Sequence, residues 1–222
     1  MNYKEKYPWL RLMNLYTGKL HTKKCAMDDM PYGWEMAFGE IMCEEFDEAI
    51  KRAGVEDSFY FGQVKEKFGA LKLYHNQPRN SEIDILARKY EAISRYICIR
   101  CGRPNVHTVF SPWVRPMDKE CYQKTEHCCV DDYDEMTKGS KFEMPTKLIW
   151  EEYTHTDPKT KRHIYKTYNV DISDTVNKII ARWEDRVANG THIVEHSEYD
   201  NTYTEEELFE RLRLKMKENE EE

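Results

Sequence analysis

Cys98, Cys101 and Cys121 are the residues whose types and spacing are best suited to chemistry. Cys98-Ile99-Arg100-Cys101-Gly102 is a C-x2-C followed by glycine, the way two thiolates are set on a tight turn around a zinc ion. Nineteen residues lie between Cys101 and Cys121, inside the usual gap between the halves of a zinc ribbon. Zinc takes four tetrahedral ligands, and thiolates neutralise its charge as they bind it. The fourth ligand is open among Cys128, His127 and Cys129. Three residues after Cys121, where a second knuckle would place its partner, stands Lys124, so the second half is irregular. A closed site with three or four thiolates staples a fold and catalyses nothing. The competing readings are a decayed knuckle with free thiols and a catalytic metal with one open position.

Other candidates are weaker. His192 and His196 are four apart, but Thr191, Ile193 and Val194 favour a strand there, and no glutamate of an H-E-x-x-H type accompanies them. His155 and His163 flank one expected hairpin turn, as a polar cross-strand pair or, at longer odds, an acid–base pair. Lys65, Lys67 and Lys72 interleave with Tyr60, Phe61, Phe68 and Tyr74, a mixture able to stack on bases and hold phosphates. The plainer reading turns those aromatics inward and the lysines to water. No phosphate-binding glycine loop, nucleophile elbow or Ser/His/Asp order is recognisable.

These residues must be positioned by helices and hairpins. Residues 1–31 read as an N-terminal extension with a short helix around Tyr7–Tyr16, closed by a turn at Asp28, Asp29 and Pro31. From Gly33 to Ala53 the apolar residues Trp34, Phe38, Ile41, Phe46 and Ala49 recur with helical period, and Gly54 ends the helix. Cys43 on that face reads as a buried small hydrophobe. Phe59, Phe61 and Val64, then Leu71 and Leu73, form a hairpin turning at Gly69, with the lysines and Glu66 in the bend. A helix over 80–97, capped by Ser81 and Asp84, runs into the knuckle. Residues 130–145 read as a loop. A second hairpin spans 146–170, turning at Asp157-Pro158-Lys159-Thr160. A helix over 173–189, capped by Ser173 or Asp174, is followed by a strand at 191–199 and a last helix capped by Thr204 and Glu207. The expected fold is α+β: amphipathic helices with two β-hairpins around a zinc-ribbon-like knuckle. It divides into the extension, a helix–hairpin–helix–knuckle region over 32–130, a lobe over 140–217 and an acidic tail at 218–222.

Charge and composition narrow the function. Hydrophobic residues make up 40% of the chain, enough for a real core and against global disorder. The net charge is −7, whereas a phosphate-binding surface usually brings a basic excess. Local basic patches remain at Lys65, Lys67 and Lys72 and along Lys159 to Lys166. The acidic balance suits a basic protein partner, or it simply keeps a small protein soluble. Seven cysteines, clustered around a C-x2-C, favour metal and a reducing compartment over a disulfide framework. The N-terminus lacks an apolar signal core, and no stretch approaches eighteen apolar residues. A cytoplasmic protein with no membrane contact is expected.

Gly33-Trp34, then Cys43-Glu44-Glu45-Phe46-Asp47, then Gln63-Val64-Lys65-Glu66-Lys67-Phe68-Gly69-Ala70-Leu71-Lys72-Leu73-Tyr74 resembles a family of uncharacterised proteins of bacteriophages, prophages and their bacterial hosts. The likeness continues through Cys98, Cys101, Gly102, Trp113 and Cys121 and covers roughly residues 32–124. It departs at Lys124, where that family carries a Cys or His. The resemblance implies a phage or mobile-element origin and no particular activity. The expectation is a zinc-binding protein, acting in the host cytoplasm by binding a host protein such as a component of defence or transcription. A nucleic-acid-binding module using Lys65, Lys67, Lys72 and the zinc ribbon is the second reading. A metal-dependent hydrolase working near His127 or the His192 strand is the third.

Overall fold

Residues 3–110, 113–126 and 130–192 are described by a computed structural model of the chain. The N-terminal segment differs from its expected form. After a single helical turn, α1 (Tyr3–Lys6), the chain forms β1 (Arg11–Asn14) and β2 (Lys19–Cys25), joined by a turn at Gly18 with φ +66°. These strands belong to the main sheet, in which β1 pairs in parallel with the first strand of the next hairpin through Leu12 and Phe61. Tyr7, Trp9, Leu10 and Leu12 are buried, so residues 3–25 form part of the core. Short strands with a half-polar pattern carry little periodicity, which is why the helix was favoured there.

A short helix, α2 (Tyr32–Trp34), leads through a π-helical turn at Glu35–Gly39 into α3 (Glu40–Ala53), which ends at Gly54 with φ +65°. The wider turn shifts the apolar face. Met42, Cys43, Phe46, Ala49 and Ile50 are buried, Ile41 is only half-buried, and Ala53 is exposed. Strands β3 (Phe61–Lys67) and β4 (Ala70–His75) form the expected hairpin, and the sheet order is β2-β1-β3-β4. The bend is shorter than expected. Lys65, Glu66 and Lys67 lie in the strand, and the turn is Phe68-Gly69, both at positive φ. Helix α4 (Glu82–Ser94) is capped as the sequence indicates: Ser81 accepts from the Asp84 amide at 3.2 Å, and Asp84 accepts from the Asn80 amide at 2.8 Å. It covers the free edge of β4, where Ser94 Oγ accepts from the Leu71 amide.

Beyond the knuckle come two tiny strands, β5 (Thr108–Val109) and β6 (Arg115–Pro116), then α5 (Lys119–Glu126) and α6 (Val130–Met136). The loop expected over 130–145 therefore begins with a helix. The second hairpin pairs β7 (Lys147–Thr156) with β8 (His163–Asp171), and α7 (Ser173–Ala188) follows. The N-cap position is Ile172, which has no side-chain cap, in place of Ser173 or Asp174; Asp171 just before it accepts from the Ser173 amide at 2.9 Å. The strand expected at 191–199 and the last helix fall almost wholly outside the described residues; Thr191 and His192 form a turn.

The main core joins α3, α4, the sheet and α7, with Trp9, Phe46, Phe59 and Phe61 in mutual ring contact. A buried polar knot ties the three helices together. Glu45 of α3 pairs with Lys89 of α4, and Tyr90 and Thr175 donate to the same carboxylate at 2.6 and 2.7 Å. A second, smaller core surrounds the knuckle. The fold is α+β, and among the described residues no helix is long and apolar enough to cross a membrane.

Candidate metal centre

The knuckle is built by backbone hydrogen bonds. The Gly102 amide donates to the Cys98 carbonyl at 3.0 Å, and the Cys98 amide to the Arg103 carbonyl at 2.8 Å. Gly102 has φ +77°, a left-handed conformation that glycine adopts without strain. The knuckle is seated on the start of the α2–α3 run. The Gly33 amide donates to the Ile99 carbonyl at 3.0 Å, and the Trp34 indole donates to the Ile97 carbonyl at 2.9 Å. The two glycines meet backbone to backbone. A Cβ on Gly33 would lie 2.4 Å from the Cys98 carbonyl oxygen, and one on Gly102 would lie 2.5 Å from the Gly33 carbonyl oxygen. Gly33-Trp34 and Cys-x2-Cys-Gly, distant in sequence, are the two halves of one contact.

The remaining donors come from the start of α5. Cys98, Cys101, Asp118 and Cys121 are all buried, and one donor atom from each lies within 4.8 Å of all the others. A tetrahedral zinc with bonds of about 2.3 Å needs sulfurs about 3.8 Å apart, so the group is of the right size to hold a metal ion. Asp118 is fixed by its place at the helix N-terminus. One carboxylate oxygen accepts from the Glu120 and Cys121 amides at 3.0 and 3.1 Å, and the other accepts from Cys101 Sγ at 2.9 Å.

The electrostatics show a shared proton set. Burial would raise Cys98, but hydrogen bonds from Cys101 and Cys121 hold it well below the usual thiol value. Cys101 is raised by those same bonds, first with Cys121 and then with Cys98, and by burial. At Cys121 the bond with Cys101 lowers the value, but the bond with Cys98 and burial outweigh it. Burial, then the charge of Cys98, pushes the Asp118 carboxyl up. Such a nest of acidic groups is what a divalent cation relieves.

Surrounding groups hold the ligands in place. Val106, Val109, Met117, Tyr122 and Tyr133 wall the cluster, and Tyr133 donates to the Met117 carbonyl at 2.8 Å. From α7, Arg186 donates to the Cys101 carbonyl at 3.2 Å, with Trp183 beside it. The third helix of the main core thus also closes over the knuckle.

Cys98, Cys101 and Cys121 come together as their spacing predicts. His127, Cys128 and Cys129 lie outside the described residues. Lys124 faces outward and pairs with Glu120 at 2.7 Å. Asp118 escapes the cysteine and histidine spacings by which a zinc knuckle is read from sequence. Asp118-x2-Cys121 repeats the spacing of Cys98-x2-Cys101, and that repeat is visible in the sequence.

No protein-family model matches the chain, and neither does any curated protein or solved structure.

The other candidates are dispersed. Cys43 is buried and its thiol pushed up by that burial. A bulge at Thr154 puts His155 opposite Ile164 and His163 opposite Thr156, so the two histidines do not face each other. His192 lies beside Trp183, while His196 is outside the described residues. Lys65 and Lys72 are cross-strand neighbours, but Lys72 is half-buried in an ion pair with Glu91. Lys65 and Lys67 lie over the rings of Tyr74 and Phe68, at 5.8 and 5.6 Å from the centroids.

Beside the knuckle lies a groove of about 370 Å³. Tyr32, Ile99, Arg100 and Trp113 line it, with Asp28, Asp29 and Glu66 among its polar groups. Tyr32 and Trp113 are exposed, and Phe68 stands exposed at the neighbouring hairpin tip.

Proposed function

We propose that this is a zinc-stapled binding protein encoded by a phage or other mobile element, acting on a host protein through the groove beside the knuckle. The observation that carries the reading is the buried Cys98–Cys101–Asp118–Cys121 group. Three thiolates and a carboxylate fill the four positions zinc prefers and leave no place for a substrate. Zinc is favoured over harder cations because thiolates are soft ligands. The metal orders the wall of the groove, since Ile99 and Arg100 are the two residues between the first pair of ligands.

Exposed aromatic residues around a concave surface are the usual anchors of protein recognition. Asp28, Asp29 and Glu66 suit a partner segment with a basic side chain, in line with the net charge of −7. The phage origin rests on the resemblance over residues 32–124.

The test is affinity capture from host lysate with the zinc-loaded chain, compared with Tyr32→Ala/Trp113→Ala. A host protein retained by the first and lost from the second supports the reading. Equal capture by both, or none by either, defeats it.

A further inference from the structure

The ribbon of β7 and β8 takes no part in the metal centre, and its two ends differ. The base is fixed. Trp150 and Tyr168, cross-strand partners, stack at 4.8 Å between ring centroids with planes 3° apart. Arg88 lies 5.5 Å over Trp150, Asn80 hydrogen-bonds Glu152, and Leu148 and Val170 pack against the main core. The outer end is bare: every side chain from 153 to 155 and from 158 to 167 is exposed.

That end is basic in an acidic protein. Lys159, Lys161 and Arg162 stand at its tip against one carboxylate, Asp157, in a chain of net charge −7, while Lys166 lies lower, opposite Glu152 across the ribbon. Asp157 is occupied in building the loop, accepting from the Lys159 and Thr160 amides at 2.7 and 3.1 Å. These bonds brace the start of the loop, and the side chains of Lys159, Lys161 and Arg162 are exposed. Lys161 has φ +57°, where a hairpin loop ordinarily places glycine. A lysine in that conformation is strained, and it adds a charge to the loop. Tyr153 and Tyr165 meet edge to face at 6.0 Å between centroids and are exposed on one face.

We propose that the outer end of this ribbon is an arm that enters the major groove of duplex DNA. The groove is about 12 Å wide and about 8.5 Å deep and admits a two-stranded ribbon. The bare strand segments, Tyr153–His155 and His163–Thr167, extend about 10 and about 17 Å at roughly 3.4 Å per residue, enough with the loop between them to reach the groove floor. The three tip cations meet the phosphates flanking the groove, and the Tyr165 hydroxyl reaches sugar and phosphate oxygens. The major groove of duplex RNA is too narrow for such an arm. This site is separate from the groove beside the knuckle and does not rest on that surface having a protein partner.

The test is fluorescence anisotropy of the zinc-loaded full chain with a short mixed-sequence DNA duplex over a salt series. The variant is Lys159→Ala/Lys161→Gly/Arg162→Ala; glycine suits the left-handed position, so the ribbon keeps its loop, as circular dichroism and thermal melting will show. Salt-sensitive binding by the native chain is expected. The variant should bind about tenfold or more weakly, with a logarithmic salt slope shallower by about 2.7 for three lost phosphate contacts. Lys65→Ala/Lys67→Ala should bind as the native chain does. Absent binding, binding unchanged in the ribbon variant, or equal binding to duplex RNA or polyglutamate would each overturn the proposal.

Discussion

Asp118 does two jobs with one carboxylate, capping α5 with one oxygen and facing three thiols with the other. Asp118→Ala should therefore weaken metal binding at least about tenfold, read by competition with a chromophoric chelator. Asp118→Cys should retain the metal, and Lys124→Ala should change nothing, because Lys124 pairs with Glu120 on the outer face. The affinity should fall as pH falls, since protons compete for the same thiolates. Gly33 makes a different demand. Any Cβ there meets the backbone of Cys98 and Ile99, which cannot swing aside as a side chain would. Gly33→Ala should cost about 3 kcal/mol in chemical denaturation and lower zinc affinity with it. The cysteine positions of this site were legible from spacing alone. Asp118 was not, because an aspartate ahead of a cysteine matches none of the cysteine–histidine spacings that mark a knuckle. The meeting of Gly33 with Gly102 could not be read, because no local pattern links residues that far apart.

The helices α3, α4 and α7 and both hairpins were readable because apolar period and turn chemistry agree in those stretches. Two kinds of element escaped. Strands β1 and β2 are short and partly polar, and Leu12 is given its place by Phe61, a tertiary pairing. The π-turn at Glu35–Gly39 rotates the face of α3, so Met42 joins the expected Cys43 inside while Ile41 is only half-buried. At the junction of β4 and α4, His75 is buried and its value lowered, mainly by desolvation and against the pull of Asp84. Its Nδ1 accepts from the Gln77 amide at 3.2 Å, a bond that protonation breaks. Because the folded value lies below the unfolded one, the unfolded chain takes up the proton more readily. Stability is then full above the ordinary histidine value near 6.5 and declines as pH drops below it. Urea midpoints should fall between neutral and mildly acidic pH, and His75→Gln should flatten that fall.

Among the described residues there are two cores, and the smaller is organised around the four-donor cluster. The larger needs no metal: Trp34, Phe38, Phe46, Phe59 and Phe61 are fully buried by packing alone. Chelation should accordingly loosen residues 98–122 first. Hydrogen exchange should show early loss of protection there while α3 and β3 remain protected. Tryptophan fluorescence should report a partial change, since Trp183 borders the small core. Arg186 links the cores through the Cys101 carbonyl, so the C-terminal end of α7 should follow the knuckle. The most direct measurement is the metal content of purified protein by elemental analysis, paired with thiol titration under native conditions. One zinc per chain is expected, with Cys98, Cys101 and Cys121 unreactive until a chelator is added. A metal-free protein whose three knuckle thiols neither bind added zinc nor gain protection from it would contradict the zinc-stapled reading outright.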